Sequence, residues 1–188
     1  MRPKRANQRN SQRGFTLVEA MVAILVLTIG VVGVAIVFVR GFSLMGDSQD
    51  DLIARVKAQE AIESVFAGRD DQSLTWSQIL NVHGVSGSDG GIFIDGPCPL
   101  NDPGPDGIVG TADDCPSGNP EYIVLPGPDG KYGTADDIQV PLTKFSRTIA
   151  ITPVGTNTNL RQITVTITYE SNGLNRSYSL TTYISPFV

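Results

Sequence analysis

From Phe15 to Val39 the chain runs through 25 positions at which only Thr16, Glu19 and Thr28 are polar. At about 1.5 Å per residue, a helix of that length crosses a hydrocarbon core of roughly 30 Å. The pattern therefore predicts a membrane-spanning helix over residues 15–40. Gly30, Gly33, Gly41 and Gly46 sit where a long helix would leave the membrane, and they mark where bending or local melting is expected. From Asp47 the periodicity changes: in DSQDDLIARVKAQEAIESVFAGR, Leu52, Ile53, Val56, Ile62, Val65 and Phe66 recur at helical spacing between Arg55, Lys57, Glu60 and Glu63. This predicts an amphipathic helix over 41–68 with one face for a sheet. Ser48 with Asp51 resembles a cap that restarts the helix, and Gly68 reads as its stop.

The C-terminal segments RTIAITP, RQITVTITYE and RSYSLTTYIS alternate apolar and polar residues and are rich in Ile, Val, Thr and Tyr. They predict antiparallel strands at 146–153, 160–170 and 175–185, with SNG as a hairpin turn between the last two. Trp76 and Ile79 to Val82 add a short cover to the core. Packing the amphipathic helix on the sheet gives an α+β fold. Residues 84–141 hold most of the Gly and Pro and read as one long loop region within a head spanning 69–188. A connection of that length calls for a function, a cross-link or an ion.

Charge adds an orientation. Arg2, Lys4, Arg5, Arg9 and Arg13 precede the apolar run with no acid among them. The nine remaining basic residues face 19 acids, so everything from Phe15 onward carries a formal charge of −10. An acidic body argues against nucleic acid as a partner. A basic head beside an apolar span stays in the cytoplasm and sends the body outward. No small-residue cleavage site follows the span at IVFVRG, which argues against an ordinary secretory signal.

The stretch RGFTLVE, residues 13–19, resembles the class III signal of type IV pilins and of the pseudopilins of type II secretion. Its continuation TLVEAMVAILVLTIGVVGVA is similar to minor pilins of the pilus modification type and to minor pseudopilins. The resemblance implies a basic leader over 1–14, cut by prepilin peptidase between Gly14 and Phe15, with N-methylation of Phe15. It implies an assembly role for Glu19, paired with the α-amine of a neighbouring subunit, and other pilin or pseudopilin subunits and the inner-membrane assembly machinery as partners. Localisation follows as the bacterial inner membrane and then a filament. The physical reading agrees: a carboxylate in a bilayer is costly and marks a function with a partner. The alternative is an interfacial carboxylate favoured by the helix N-terminus.

Two further features lie in the loop region. PGPDGIVGTADDC (103–115) and PGPDGKYGTADDI (126–138) agree at ten of their first twelve positions, at an offset of 23. Each copy supplies an Asp before Gly and two consecutive acids: Asp106, Asp113 and Asp114, then Asp129, Asp136 and Asp137. Carboxylates brought together by Gly-rich turns suit calcium, which takes six to eight oxygens, although the spacing is not that of an EF-hand. A calcium-dependent adhesin carried on the anchor is one consequence, and plain surface turns are the alternative. No cofactor is required on either reading. The two cysteines, Cys98 and Cys115, fall on the exported side, where a disulfide is favoured over a two-thiol metal site. The single histidine, His83, has no nucleophile motif around it and reads as a loop or core residue. Nothing selects a catalytic constellation, and the chain is expected not to be an enzyme.

Overall fold

The computed structural model describes residues 14–83 and 90–187. The basic leader residues Arg2 to Arg13 and the loop stretch 84–89 lie outside the described residues. One helix, α1 (Leu17–Asp70), opens the fold. It passes through Gly41 and Gly46 without a break, so Ser48 and Asp51 lie inside it and do not restart it. The chain divides into two compact units, Met1–Leu44 and Met45–Val188.

Among the described residues of the first unit the apolar side chains are exposed. Phe15 is 83% exposed, and the large apolar side chains from Leu17 to Phe42 are all at least 52% exposed. An apolar surface on every side of a helix is the mark of a helix that meets lipid or other helices.

The second unit is the α+β body. Six strands follow the helix: β1 (Cys98–Pro99), β2 (Tyr122–Leu125), β3 (Ile138–Pro141), β4 (Phe145–Val154), β5 (Asn157–Ser171) and β6 (Leu174–Ile184). An antiparallel sheet in the order β1-β4-β5-β6 carries the core, and β2 and β3 pair with each other as a separate hairpin. The three expected C-terminal strands are therefore present, each within a few residues of its expected bounds. At the SNG turn, Asn172 (φ 52°) and Gly173 (φ 73°) both adopt positive φ, as a two-residue type I′ connection requires. The loop region is less irregular than its composition suggests, because β1, β2 and β3 all lie in it.

The core packs Ile149, Ile151, Ile163, Val165 and Ile167 of the sheet against the helix, with Ile79 and Phe93 closing it. On the helix the buried seam is Ala54, Ala58, Ala61 and Val65, each at 0% exposure. Val65 of the expected face is in this seam and Ile53, Ile62 and Phe66 pack against the core, whereas Leu52 and Val56 point outward, at 61% and 46% exposed. Small residues at i, i+4 and i+7 let the helix backbone approach the sheet closely, and that closeness sets the helix phase. Gly68 is not the stop either. It is buried within the last turn, where an added Cβ would lie 2.9 Å from Leu74. The start of the packed segment is tied down by charge. Asp50 accepts from Lys144 Nζ at 2.7 Å, and Asp47 accepts from Arg176 at 2.8 Å and from Asn172 of the hairpin turn at 2.6 Å.

Candidate functional site

Two regions hold the residues singled out by the sequence. At the N-terminus, Gly14, Phe15 and Thr16 are non-helical and α1 starts at Leu17. Thr16 is the N-cap: its Oγ1 accepts a hydrogen bond from the Glu19 N–H at 3.2 Å, and its carbonyl accepts from the Ala20 N–H at 3.2 Å. Thr16-x-x-Glu19 is thus a capping-box sequence at the true helix start. The Gly14–Phe15 bond lies in extended chain just ahead of this cap. Glu19 is in the first turn, where a carboxylate complements the helix dipole. Within the span, the Thr28 hydroxyl donates to the Ile24 carbonyl at 2.7 Å, so its polar group is satisfied inside the helix.

The second region is the duplicated loop. The two copies fold alike. In copy 1 the Gly107 N–H bonds Gly104 O at 3.0 Å, and in copy 2 the Gly130 N–H bonds Gly127 O at 3.0 Å. Asp106 caps its own turn by accepting from Ile108 N at 2.8 Å, as Asp129 does from Lys131 N at 2.8 Å. In copy 1 the Thr111 hydroxyl lies within hydrogen-bonding distance of both Asp106 and Asp113. In copy 2 the Thr134 hydroxyl meets Asp136 at 2.7 Å, and Asp136 also accepts from the Asp129 N–H at 3.3 Å. The threonine bonds hold the Asp113 and Asp136 carboxyls below the usual range. Glycine is required at one corner of each copy: a Cβ on Gly104 would lie 2.0 Å from Asp113 Oδ2, and one on Gly127 would lie 2.3 Å from the Asp136 carbonyl oxygen.

The six acids do not act as one set. Asp106 with Asp113, and Asp129 with Asp136, come together. Asp114 turns away into the body, where it is fully buried. Its carboxylate accepts from Gly110 N at 3.0 and 2.9 Å and from Thr111 N at 2.8 Å, and pairs with Arg147 Nη2 at 3.2 Å. Burial pushes the Asp114 carboxyl up against the pull of those amides and of Arg147, and burial pushes the Arg147 guanidinium down. Asp137, the equivalent in copy 2, accepts from Gly133 N at 2.6 Å and Thr134 N at 3.3 Å and is only partly buried. No group of three or more His, Cys, Asp or Glu side chains arranged to hold a metal ion occurs among the described residues.

Cys98 and Cys115 form a disulfide with a Cα–Cα distance of 5.5 Å, closing copy 1 against β1. Among the described residues there is no free cysteine. His83 is an exposed loop residue, its Nδ1 2.9 Å from Asp95.

Arg147 escaped sequence reasoning, as did its second partner Glu121, 3.8 Å away, which also pairs with Lys57 at 2.7 Å. A signal for Arg147 existed. In FSRTIAI it occupies the same alternation phase as Phe145, Ile149 and Ile151, so it had to point into the core and needed a buried acid. Glu121 lies between loop residues and offered no such phase.

No curated protein and no solved structure matches the chain. A family model does: residues 9–35 match the prokaryotic N-terminal methylation motif, a match confined to this segment. It spans Gly14, Phe15 and Glu19, and it contains the start of the one helix among the described residues that is long and apolar enough to cross a membrane. Motif and apolar helix together support a type IV pilin-like protein, and the motif implies processing by prepilin peptidase and assembly with other pilins.

Proposed function

We propose that the protein is a minor pilin, a structural subunit held in the bacterial inner membrane by α1 with its body outside the cytoplasm and then built into a pilus. One observation carries this reading. Phe15, within the methylation motif, lies directly before the helix cap, and Glu19 is in the first turn of a helix whose large apolar side chains from Leu17 to Phe42 are exposed. Hydrolysis of the Gly14–Phe15 peptide bond releases the leader and creates an α-amine at Phe15, which is then methylated. Lipid covers the exposed helix first, and neighbouring helices replace lipid on assembly. In that low-dielectric setting the Glu19 carboxylate and the amine of an adjacent subunit attract strongly, which fixes register more than it adds net stability.

The test is the intact mass of protein isolated from its native envelope, with fragmentation of the N-terminus. A chain beginning at methylated Phe15 and recovered with sheared pili supports the minor-pilin reading. A chain so processed but retained with a type II secretion apparatus would make it a minor pseudopilin, and a chain retaining its leader would overturn the pilin pathway.

Calcium at the loops belongs to the same proposal on narrower ground. In copy 1 the Asp106 and Asp113 carboxylates converge on the Thr111 hydroxyl, whose single proton cannot neutralise both; in copy 2 Asp136 meets the Thr134 hydroxyl and also accepts from the Asp129 N–H. Asp114 is committed to Arg147 and is not a ligand on this reading.

A further inference from the structure

The duplication makes one half of the molecule a template for the other. In copy 1 the loop is docked on the body. Ile108 and Val109 are buried at 4% and 5% exposure, Gly110 fits against Ile149, and Asp114 receives the Arg147 guanidinium. Copy 2 repeats the backbone: Gly133 has φ 81° where Gly110 has 85°, and Asp137 accepts the two amides equivalent to those that Asp114 accepts. Yet among the described residues copy 2 buries none of its side chains fully. At the positions of Val109 and Cys115 it carries Tyr132 and Ile138, which are 69% and 54% exposed. Among the described residues, no Lys or Arg pairs with Asp137.

From this we infer that copy 2 is a docking site for an arginine on an exposed segment of a neighbouring filament subunit, with Asp137 as its counter-ion and Tyr132 as its stacking surface. Copy 1 supplies the chemistry of the occupant, because this same turn already holds a guanidinium inside the protein. Arginine fits better than lysine: its plane can pair with a carboxylate and stack on an aromatic ring at once, which an ammonium cannot. A tyrosine in place of a buried valine suits an interface, where one side of the ring is covered and the hydroxyl stays wet. The position of copy 2 supports access. It forms the tip of the β2–β3 hairpin, whose strands pair with each other alone among the described residues, while the base is closed by the Leu142 N–H to Glu121 O bond at 2.7 Å and fixed to the body by the Glu121 N–H to Leu100 O bond at 3.0 Å.

This inference rests on the filament reading, and one sample separates the two. The full chain carrying the photo-crosslinker p-benzoylphenylalanine at Tyr132 is irradiated in its native envelope, and adducts are mapped by peptide mass spectrometry. The expected result is an adduct to an arginine-containing peptide of a second subunit, reduced about tenfold or more by Asp137→Asn and unchanged by Asp102→Asn. An adduct insensitive to Asp137→Asn, an adduct peptide without arginine, or no adduct would each overturn the docking site. The N-terminal mass of the same sample reports the filament pathway independently: methylated Phe15 without an adduct refutes only the docking site, whereas an uncleaved leader refutes the pilin reading.

Discussion

Arg147→Met is the substitution that most directly tests how copy 1 is held. Arg147 is 1% exposed and Asp114 0% exposed, so removing the cation leaves a carboxylate buried without a counter-charge. Loss of one partner from such a pair costs about 3–5 kcal/mol. Two features place this case at the lower end, about 3 kcal/mol. Both Asp114 oxygens stay bonded to Gly110 N, and one also to Thr111 N. In addition, Arg147 Nε and Nη1 are buried without hydrogen-bond partners, so deleting them removes a cost as well. Asp114→Asn keeps one acceptor for the amides and leaves Arg147 beside Glu121, for a loss of about 2 kcal/mol. Because the two groups touch, the double variant should lose at least about 1 kcal/mol less than the sum. The pH dependence has a definite sign. Asp114 is raised in the folded protein, so its contribution favours the folded state below the ordinary carboxylate range and is lost as pH rises through its folded value. The Arg147→Met deficit should therefore shrink on acidification. The assay is urea unfolding of the full chain in detergent under oxidising conditions, followed by the single tryptophan, Trp76, whose indole N–H bonds Thr158 O at 3.0 Å. A loss below about 1 kcal/mol for Arg147→Met, or strict additivity in the double variant, would refute the reasoning.

Other perturbations separate the same elements. Replacing Cys98 and Cys115 by Ser opens a 17-residue separation and should cost about 3 kcal/mol on the chain-entropy account, read as a lowered urea midpoint. Gly104→Ala would meet the Asp113 side chain and Gly127→Ala the Asp136 backbone carbonyl and carboxylate, the harder clash, yet only copy 1 is packed on the core. The first should lower the melting temperature of the body and the second should leave it nearly unchanged, with equal effects counting against independent loops. Calcium should raise the melting temperature of the wild type, and Asp113→Asn with Asp136→Asn should abolish the rise; an unchanged melting temperature across a calcium titration would leave the acids as turn formers. Glu19→Ala should be inserted and cleaved but recovered from sheared filaments at a small fraction of the wild-type amount, and wild-type recovery would show the carboxylate to be dispensable.

The sequence exposed the features that depend on local periodicity. The apolar span, the three long strands and the Asn172–Gly173 turn each follow from alternation or turn chemistry within a dozen residues. The helix face was legible through Ile53, Ile62, Val65 and Phe66, but its centre was not: close approach to the sheet selects Ala54, Ala58 and Ala61, while the larger Leu52 and Val56 point outward. Helix continuity past Gly46 was equally out of reach. A glycine costs about 1 kcal/mol in a helix, but the ion pairs from Asp47 and Asp50 to residues about a hundred positions away hold that turn in place. Strands β2 and β3 were hidden by their length, four residues each.

The different fates of the two loops trace to the few positions at which their sequences differ and to what lies nearby. Both copies contain Asp-Gly, Gly-Thr and the paired acids, so both build the same turn. Copy 1 has Ile108, Val109 and Cys115 where copy 2 has Lys131, Tyr132 and Ile138. The first set can enter a core and be stapled to β1; in the second, a lysine holds the turn at the surface beside an exposed aromatic ring. The last acid of the repeat then changes role without changing its local bonds. Asp114 becomes half of a buried pair because β4 brings Arg147 to it, whereas Asp137, with the same two backbone amides, is only partly buried and pairs with no Lys or Arg among the described residues. Duplication has thus kept the shape of the loop and altered only its surroundings. Exchanging Ile108–Val109 with Lys131–Tyr132 should accordingly loosen copy 1 from the body while leaving the hydrogen bonds within each turn intact, an outcome that amide hydrogen exchange at Gly110, Thr111, Gly133 and Thr134 would resolve residue by residue.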